Sequence, residues 1–430
     1  MNKLFWFLCY NLIFIPILYV LIKFLAFYKP KLRESIENRK KLWSRLESKI
    51  SERKWEKPLI WLHVASAGEY LQAKPVIKSC IENGAECLLT YSSINAFKWI
   101  KNENQSKING LLTTEFLPFD SIKNARRLVG LIQPSRMVWI SYDLWPNLIW
   151  ELNFQRIPQS LISAIVHENS LRTKFFLGRS FYKSIYSCLE HILTVSEDDS
   201  MRILSANPEH GNIKVMGEIR CDSVIERRNS LEIPELPRAK KAGFVFIAAS
   251  TWPKDEKCIF PGLKEALNTF PELFLVVAPH EPTEKYLRNS ERFFKDFNLE
   301  RFSRMKPNNN ENRILLIDSI GVLAGLYYYA NMVYIGGSFT TGVHNILEPA
   351  SMKSKICFGP KYSNSREAIE MVKQKLAFSI NSKSKFNKLL FDSLSNKEDC
   401  EGIGRKSCIF IENQIGATNF CLPFLMKNIT

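Results

Sequence analysis

The sequence predicts two α/β domains of similar size behind an apolar N-terminal helix. Three observations carry this. An uncharged hydrophobic run opens the chain. Apolar bursts alternate with helix-period segments twice over. A polar, proline-containing stretch divides the two series. With 430 residues, 46% of them hydrophobic, the chain is long enough to bury two cores.

The N-terminal element comes first. Leu4–Ile22 reads "LFWFLCYNLIFIPILYVLI", 19 residues without a charge. At ~1.5 Å per residue a helix of that length crosses a bilayer core. Asn11 and Pro16 are tolerated in membrane helices. Only Lys3 precedes the run and no small-residue cleavage site follows it, which disfavours a signal peptide. Lys29–Lys57 then holds eleven Lys/Arg against five Glu. The positive-inside rule puts the bulk of the protein on the cytoplasmic face, with the basic cluster beside anionic headgroups.

In the first series the strand-like runs are "LIWLHVA" (59–65), "ECLLTYS" (86–92), "MVWIS" (137–141), "QSLISAIV" (159–166), "HILTVS" (191–196) and "IKVMG" (213–217). Segments 71–82 and 120–132 between them show helical spacing. This alternation predicts a mainly parallel sheet. Residues 223–240, "SVIERRNSLEIPELPRAK", read as a linker. The second series has strands "GFVFIAAS" (243–250), "LFLVVAP" (273–279), "ILLID" (314–318), "MVYIGG" (332–337) and "SKICFG" (354–359). The expected organisation is an anchor (1–28), a first Rossmann-like domain (29–222), the linker (223–240), a second Rossmann-like domain (241–403) and a terminal helix (404–430). Two such halves predict a ligand cleft between them.

Charge and cysteines narrow the class. Lys+Arg is 59 and Asp+Glu 43, a net charge of +16, which favours an anionic partner. Ten cysteines are scattered with no C-x-x-C pair, so neither a zinc pattern nor a disulfide framework is expected, and reduced thiols in a cytosolic compartment are the simplest reading.

The residues with chemistry cluster at the C-terminal ends of predicted strands, where open α/β sheets bind ligands. In "ASAGEY" small residues precede Glu69 at a helix start. The helix dipole favours its ionised form, ready to accept a proton, although a first-turn Glu also simply complements the dipole. Asp143 follows another strand, in "ISYDLWPN". In "IAASTWPKDE", Ser250 and Thr251 end a strand and read either as phosphate donors or as a helix cap. His280 ends the next, in "VVAPHEP". In "YIGGSFTTGVHNILEPAS", Gly336, Gly337 and Ser338 form a turn suited to phosphate, or a purely structural one. His344, Asn345 and Glu348 follow. His344 and Glu348, four apart, are expected on one helix face, and with no third ligand in view a metal is not expected.

The set "ASAGE", "LPFDSIKNARRLV", "DLWPN", "AASTWPKDE", "PHEP", "GGSF", "HNILEPA" and "FGPKYSNSREA" resembles the Kdo transferases of lipopolysaccharide assembly over roughly residues 59–370. These enzymes join 3-deoxy-D-manno-oct-2-ulosonic acid (Kdo) to lipid A precursors. The resemblance implies a GT-B fold: two Rossmann-like domains facing across a cleft. It also implies CMP-Kdo as donor, transfer without a metal, inversion at the anomeric carbon, and attachment to the inner membrane. Glu69 resembles the family's catalytic base. Gly337, Ser338, His344, Asn345 and Glu348 resemble its donor-binding segment, Ser250 and Thr251 its A-S-T stretch, and His280 the histidine of its P-R-H-P segment. Departures are Asp143 for the usual Glu, Glu218 and Arg220 in "GEIRCD", and Ala278 before Pro279. The implied partners are CMP-Kdo, a lipid A precursor and an anionic lipid surface, with no nucleic acid. The residue chemistry also admits a UDP-sugar transferase or epimerase of the same fold. The charge admits a membrane-tethered nucleic-acid-binding protein.

Overall fold

Two seven-stranded sheets organise the chain in the computed structural model, which describes residues 3–102, 110–168, 170–305, 312–427 and 429. One compact unit holds Met1–Ser223 with Ile415–Thr430; the other holds Val224–Gln414.

The first unit's strands are β1 (Leu59–Val64), β2 (Glu86–Tyr91), β3 (Leu111–Phe116), β4 (Arg136–Ile140), β5 (Gln159–Ala164), β6 (His191–Thr194) and β7 (Ile213–Val215). They lie in the order β3-β2-β1-β4-β5-β6-β7, every pair parallel. β1 pairs with β2 from Leu59/Glu86 to Val64/Tyr91, and with β4 from Ile60/Arg136 to His63/Trp139. The strand order reverses between β1 and β4, which opens a crevice at their C-terminal ends. All six residues of β1 are buried because helices cover both faces. Leu59 and Trp61 pack with Trp139 on one side; Ile60, Leu62 and Val64 pack with Tyr70 and Val76 on the other.

The second unit repeats the plan with β8 (Phe244–Thr251), β9 (Leu273–Pro279), β10 (Leu299–Arg301), β11 (Ile314–Leu316), β12 (Met332–Ile335), β13 (Lys355–Phe358) and β14 (Ala377–Ser379). The order is β10-β11-β9-β8-β12-β13-β14, again all parallel. Its order reverses between β8 and β12. Three strands that the apolar runs did not reveal, β3, β10 and β14, are all sheet edges. Residues of β3 and β10 are largely half-buried, so no continuous apolar run marks them.

The ends of the second half differ from the sequence reading. Residues 223–240 are largely helical, within Ile219–Ser230 and Pro237–Lys241. The C-terminal segment is two helices rather than one, Lys397–Glu412 and Ala417–Met426. Gly416, at φ +116, breaks them apart. The last helix returns to the first unit, where Ala417, Cys421 and Leu425 enter the core. Asp222 accepts the N–H groups of Gly416 (2.7 Å) and Thr418 (2.6 Å) at its start.

The apolar helix runs Lys3–Tyr28, long and apolar enough to cross a membrane. A π-helical turn at Tyr10–Phe14 widens it just before Pro16, which cannot donate to the ladder.

Candidate active site

In the first unit the chemistry gathers where β1 and β4 end. Ser66 caps the Ala67–Glu82 helix by accepting the Glu69 N–H at 3.3 Å. That places Glu69 third in the helix, from where its Oε2 accepts the Ala65 N–H. This is close to a capping box, so the helix-start reading of Glu69 is structurally real. Yet Glu69 is buried, at 5% exposure. Burial pushes its carboxyl up to about 7, opposed by the N–H groups of Ala65 and Ser66 and reinforced by the charge of Asp143.

Asp143 has the opposite environment. Burial alone would raise its pKa, but hydrogen bonds from His63, Trp145 and Ser92 outweigh that and hold it below the usual aspartate value. His63 Nε2 lies 3.1 Å from Asp143 Oδ2, and Ser92 Oγ donates to the same oxygen at 2.9 Å. His63 Nδ1 is 2.9 Å from Thr90 Oγ1. With Nε2–H donating to the carboxylate and Nδ1 meeting the Thr90 hydroxyl, the ring bridges the two side chains. Two carboxyls with divergent pKa values thus sit together, one poised near neutrality and one held ionised, as acid–base sites require. His63 and Ser92 were not singled out from the sequence. His63 stands inside the apolar run of β1, where nothing distinguishes it from a core residue. Ser141, just after β4, is left-handed at φ +63, a strain that aims the Tyr142–Trp145 loop.

In the second unit the ends of β8, β9 and β12 converge. Trp252 stacks on His280 with ring centroids 4.7 Å apart, and His280 stacks on His344 at 4.4 Å with the rings 6° from parallel. Trp252 Nε1 donates to His344 Nε2 at 3.1 Å. Burial lowers the pKa of both histidines. The sequence alone gives Trp252, at the start of the Pro253–Thr269 helix, no role in this stack.

The glycine turn is more occupied than its sequence suggests. The Gly336 N–H donates to Ala249 O at 2.8 Å, and the Gly337 N–H to Asp255 Oδ2 at 3.0 Å. Neither is therefore spare for a phosphate. Both glycines are explained by packing. A Cβ on Gly336 would lie 2.1 Å from the Ser250 carbonyl oxygen; Gly337 has φ +92 and abuts Gly342 and His344. Ser338 is fully buried, its Oγ accepting the Gly359 N–H at 2.6 Å. Ser250 is itself left-handed at φ +52, and Thr251 donates to Glu256 at 3.0 Å.

His344 and Glu348 do not share a helix face. The helix starts only at Leu347, whose N–H is taken by the exposed Asn345 side chain at 3.0 Å. Glu348 instead receives Arg227 Nη1, from the Ile219–Ser230 helix, at 2.6 Å. Burial raises its carboxyl although Arg227 opposes. Arg227 lay in a segment read as linker. Among the described residues no three His, Cys, Asp or Glu side chains group as metal ligands.

Two doubly wound parallel sheets with carboxylates at one switch point and a histidine stack by the other define a GT-B-type fold. The solved structure of UDP-GlcNAc 2-epimerase from Neisseria meningitidis bound to UDP-GlcNAc shares it, at 13% identity and TM-score 0.62, covering 86% of this chain and 100% of that one. The family model described as 3-deoxy-D-manno-octulosonic-acid transferase (kdotransferase) matches residues 35–223. A 3-deoxy-D-manno-octulosonic acid transferase of Rickettsia felis is 26% identical over 336 residues, 75% of this chain and 68% of that protein. A bifunctional glycosyltransferase/methyltransferase of Fusobacterium nucleatum is 24% identical over 94% of this chain, which spans 63% of that relative's length. In sequence the chain is thus similar to Kdo transferases, and in fold to a GT-B-type sugar-nucleotide enzyme.

Proposed function

We infer that the chain transfers Kdo from CMP-Kdo to a lipid A precursor, held by its apolar N-terminal helix at the cytoplasmic face of the inner membrane. The observation that carries the reading is Glu69: a buried carboxyl with a pKa near 7 beside an ionised Asp143, at the switch point of the first sheet. Similarity to Kdo transferases supports Kdo as the sugar.

In this scheme ionised Glu69 takes the proton of an acceptor sugar hydroxyl. The oxygen attacks the anomeric carbon of Kdo as the bond to the CMP phosphate breaks, and CMP leaves with the electron pair. One displacement inverts the configuration. Asp143, fixed by His63 and Ser92, keeps Glu69 basic and orients the acceptor. On the donor side, His280 and His344 offer stacked rings beside Trp252 for the nucleotide. Asn345 lies exposed beside them, and Glu348, held by Arg227, accepts the ribose hydroxyls. Gly336, Gly337, Ser338, Ser250 and Thr251 shape this loop rather than bind through free donors. No metal enters the scheme.

Calorimetry with CMP and UDP tests the donor side. CMP binding with UDP at least tenfold weaker supports the reading. The reverse order supports a UDP-sugar enzyme of the same fold.

A further inference from the structure

The apolar helix is tied to the first unit near its start and, beyond its end, through the helix that follows it. Near its start, Trp6 is buried and donates to Ser180 Oγ at 3.0 Å. Tyr10 donates to Asp120 Oδ2 at 2.9 Å, and Asn11 and Asn147 exchange amide hydrogen bonds at 2.8 and 3.0 Å. Asp120 also takes the N–H groups of Asn147 (3.1 Å) and Leu148 (3.3 Å) at the start of the Pro146–Phe154 helix. Trp6 and Tyr10 pack on Phe181, and Phe7 and Tyr10 on Trp150.

Beyond Tyr28 the chain turns back at once. The Pro30–Lys40 helix ends with Arg39 donating to Leu117 O at 2.8 Å and Ser92 O at 2.7 Å. Lys98 pairs with Glu34 at 2.8 Å. Arg39 is therefore bound to the residue that holds Asp143.

These ties set the reach. The unpacked part, Ile15–Tyr28, has 14 residues, or about 21 Å of helix. A bilayer core needs about 30 Å. Tyr28 lies eleven residues from Arg39, so a helical return holds it within roughly 17 Å of the first unit. A full crossing by Lys3–Tyr28 would pull Trp6, Tyr10 and Asn11 off their partners. It would strip half-buried Asp120 of the Tyr10 hydroxyl, or drag it into hydrocarbon.

We propose that this helix does not cross the bilayer. Its Ile15–Tyr28 half is embedded in the single leaflet facing the first unit, and its Lys3–Phe14 half is a fixed part of that unit. The occupant of the exposed apolar face is lipid with anionic headgroups. Phe14, Ile17, Val20, Phe24 and Phe27 are each more than half exposed, while Lys23, Lys29, Lys31, Arg33 and Lys40 are exposed around them. Phe175 and Phe176, at 54% and 72% exposure, begin the helix on which Trp6 and Tyr10 pack. Both helix ends, and the acceptor carboxylates, then lie on one side of one leaflet, where a lipid acceptor arrives without leaving it.

The proposal rests on the membrane attachment inferred above, and the test separates the two. The full chain with a short epitope ahead of Met1 is produced in a Gram-negative host. Proteinase K is applied to right-side-out spheroplasts and to inverted inner-membrane vesicles. The expected result is an epitope lost only from inverted vesicles, with the chain resisting carbonate extraction. An epitope cut from intact spheroplasts means a true crossing and overturns the proposal while attachment stands. Release by carbonate, as a monomer or as an oligomer of copies, overturns attachment and proposal together. Kdo transfer by the same vesicles is scored separately.

Discussion

Glu69→Gln separates a catalytic base from a helix-capping residue, because the base reading requires opposite effects on rate and stability. The carboxyl is raised from 4.5 to about 7 in the folded protein. The folded state then binds the proton more tightly than the unfolded chain. Stability falls as pH rises from about 4.5 to 7 and is level above. At about 1.4 kcal/mol per pH unit, keeping Glu69 ionised costs roughly 3 kcal/mol. Glutamine is neutral at every pH and still offers the Ala65 N–H an acceptor. The variant is therefore expected to match the parent near pH 4 and to exceed it by up to about 3 kcal/mol at pH 8, by urea titration at each pH. Turnover is expected to fall by roughly 10²–10⁴-fold, with CMP binding unchanged. The parent's kcat/KM is expected to rise with pH through about 7, where Glu69 ionises. A variant with near-normal turnover, or with a stability difference that does not grow with pH, would refute the reasoning and leave Glu69 a cap.

Asp143→Asn removes a negative charge that raises Glu69, so the acidic limb of the kcat/KM profile is expected to move to lower pH; an unmoved limb would uncouple the two carboxyls. Glu348→Gln is expected to weaken CMP binding at least tenfold, about 1.4 kcal/mol, read by calorimetry; unchanged affinity would leave Glu348 and Arg227 as a structural pair. Tyr10→Phe takes one partner from half-buried Asp120 and is expected to cost about 1 kcal/mol in denaturant titration; no loss would mean the helix is not built into the first unit.

The parts legible in the sequence were those whose signal is local. β1, β4, β8, β9 and β12 are buried on both faces, and their apolar runs announced them. Glu69, Asp143, Ser250, Thr251, His280 and the glycine turn all stand at or just after the ends of such strands, so their placement at strand ends follows. Edge strands such as β3, with two threonines and Glu115, lack that run. Pairings across long sequence separations were not legible either. Nothing near His63 points to Asp143, 80 residues on, and nothing near Glu348 points to Arg227, 121 residues back. The glycine turn misled in a specific way. Its composition fits a phosphate cradle, but the same glycines are demanded by the close approach of Gly336 to Ser250, and two of their N–H groups are already satisfied within the chain. The shared face expected of His344 and Glu348 failed because Asn345 delays the helix start. The apolar N-terminal run was read as a span by length. Asn11, tolerated there as an imperfection, is with Tyr10 a point of attachment to the first unit.

Incubation of the membrane-bound protein with CMP-Kdo and tetraacylated lipid A precursor, followed by mass spectrometry of the lipid, tests the central claim most directly. The expected product is a lipid heavier by one or more Kdo residues, with an equal amount of CMP released, and no gain with Glu69→Gln. An unchanged lipid in the presence of folded, membrane-bound protein, or turnover of a UDP-sugar instead of CMP-Kdo, would contradict it.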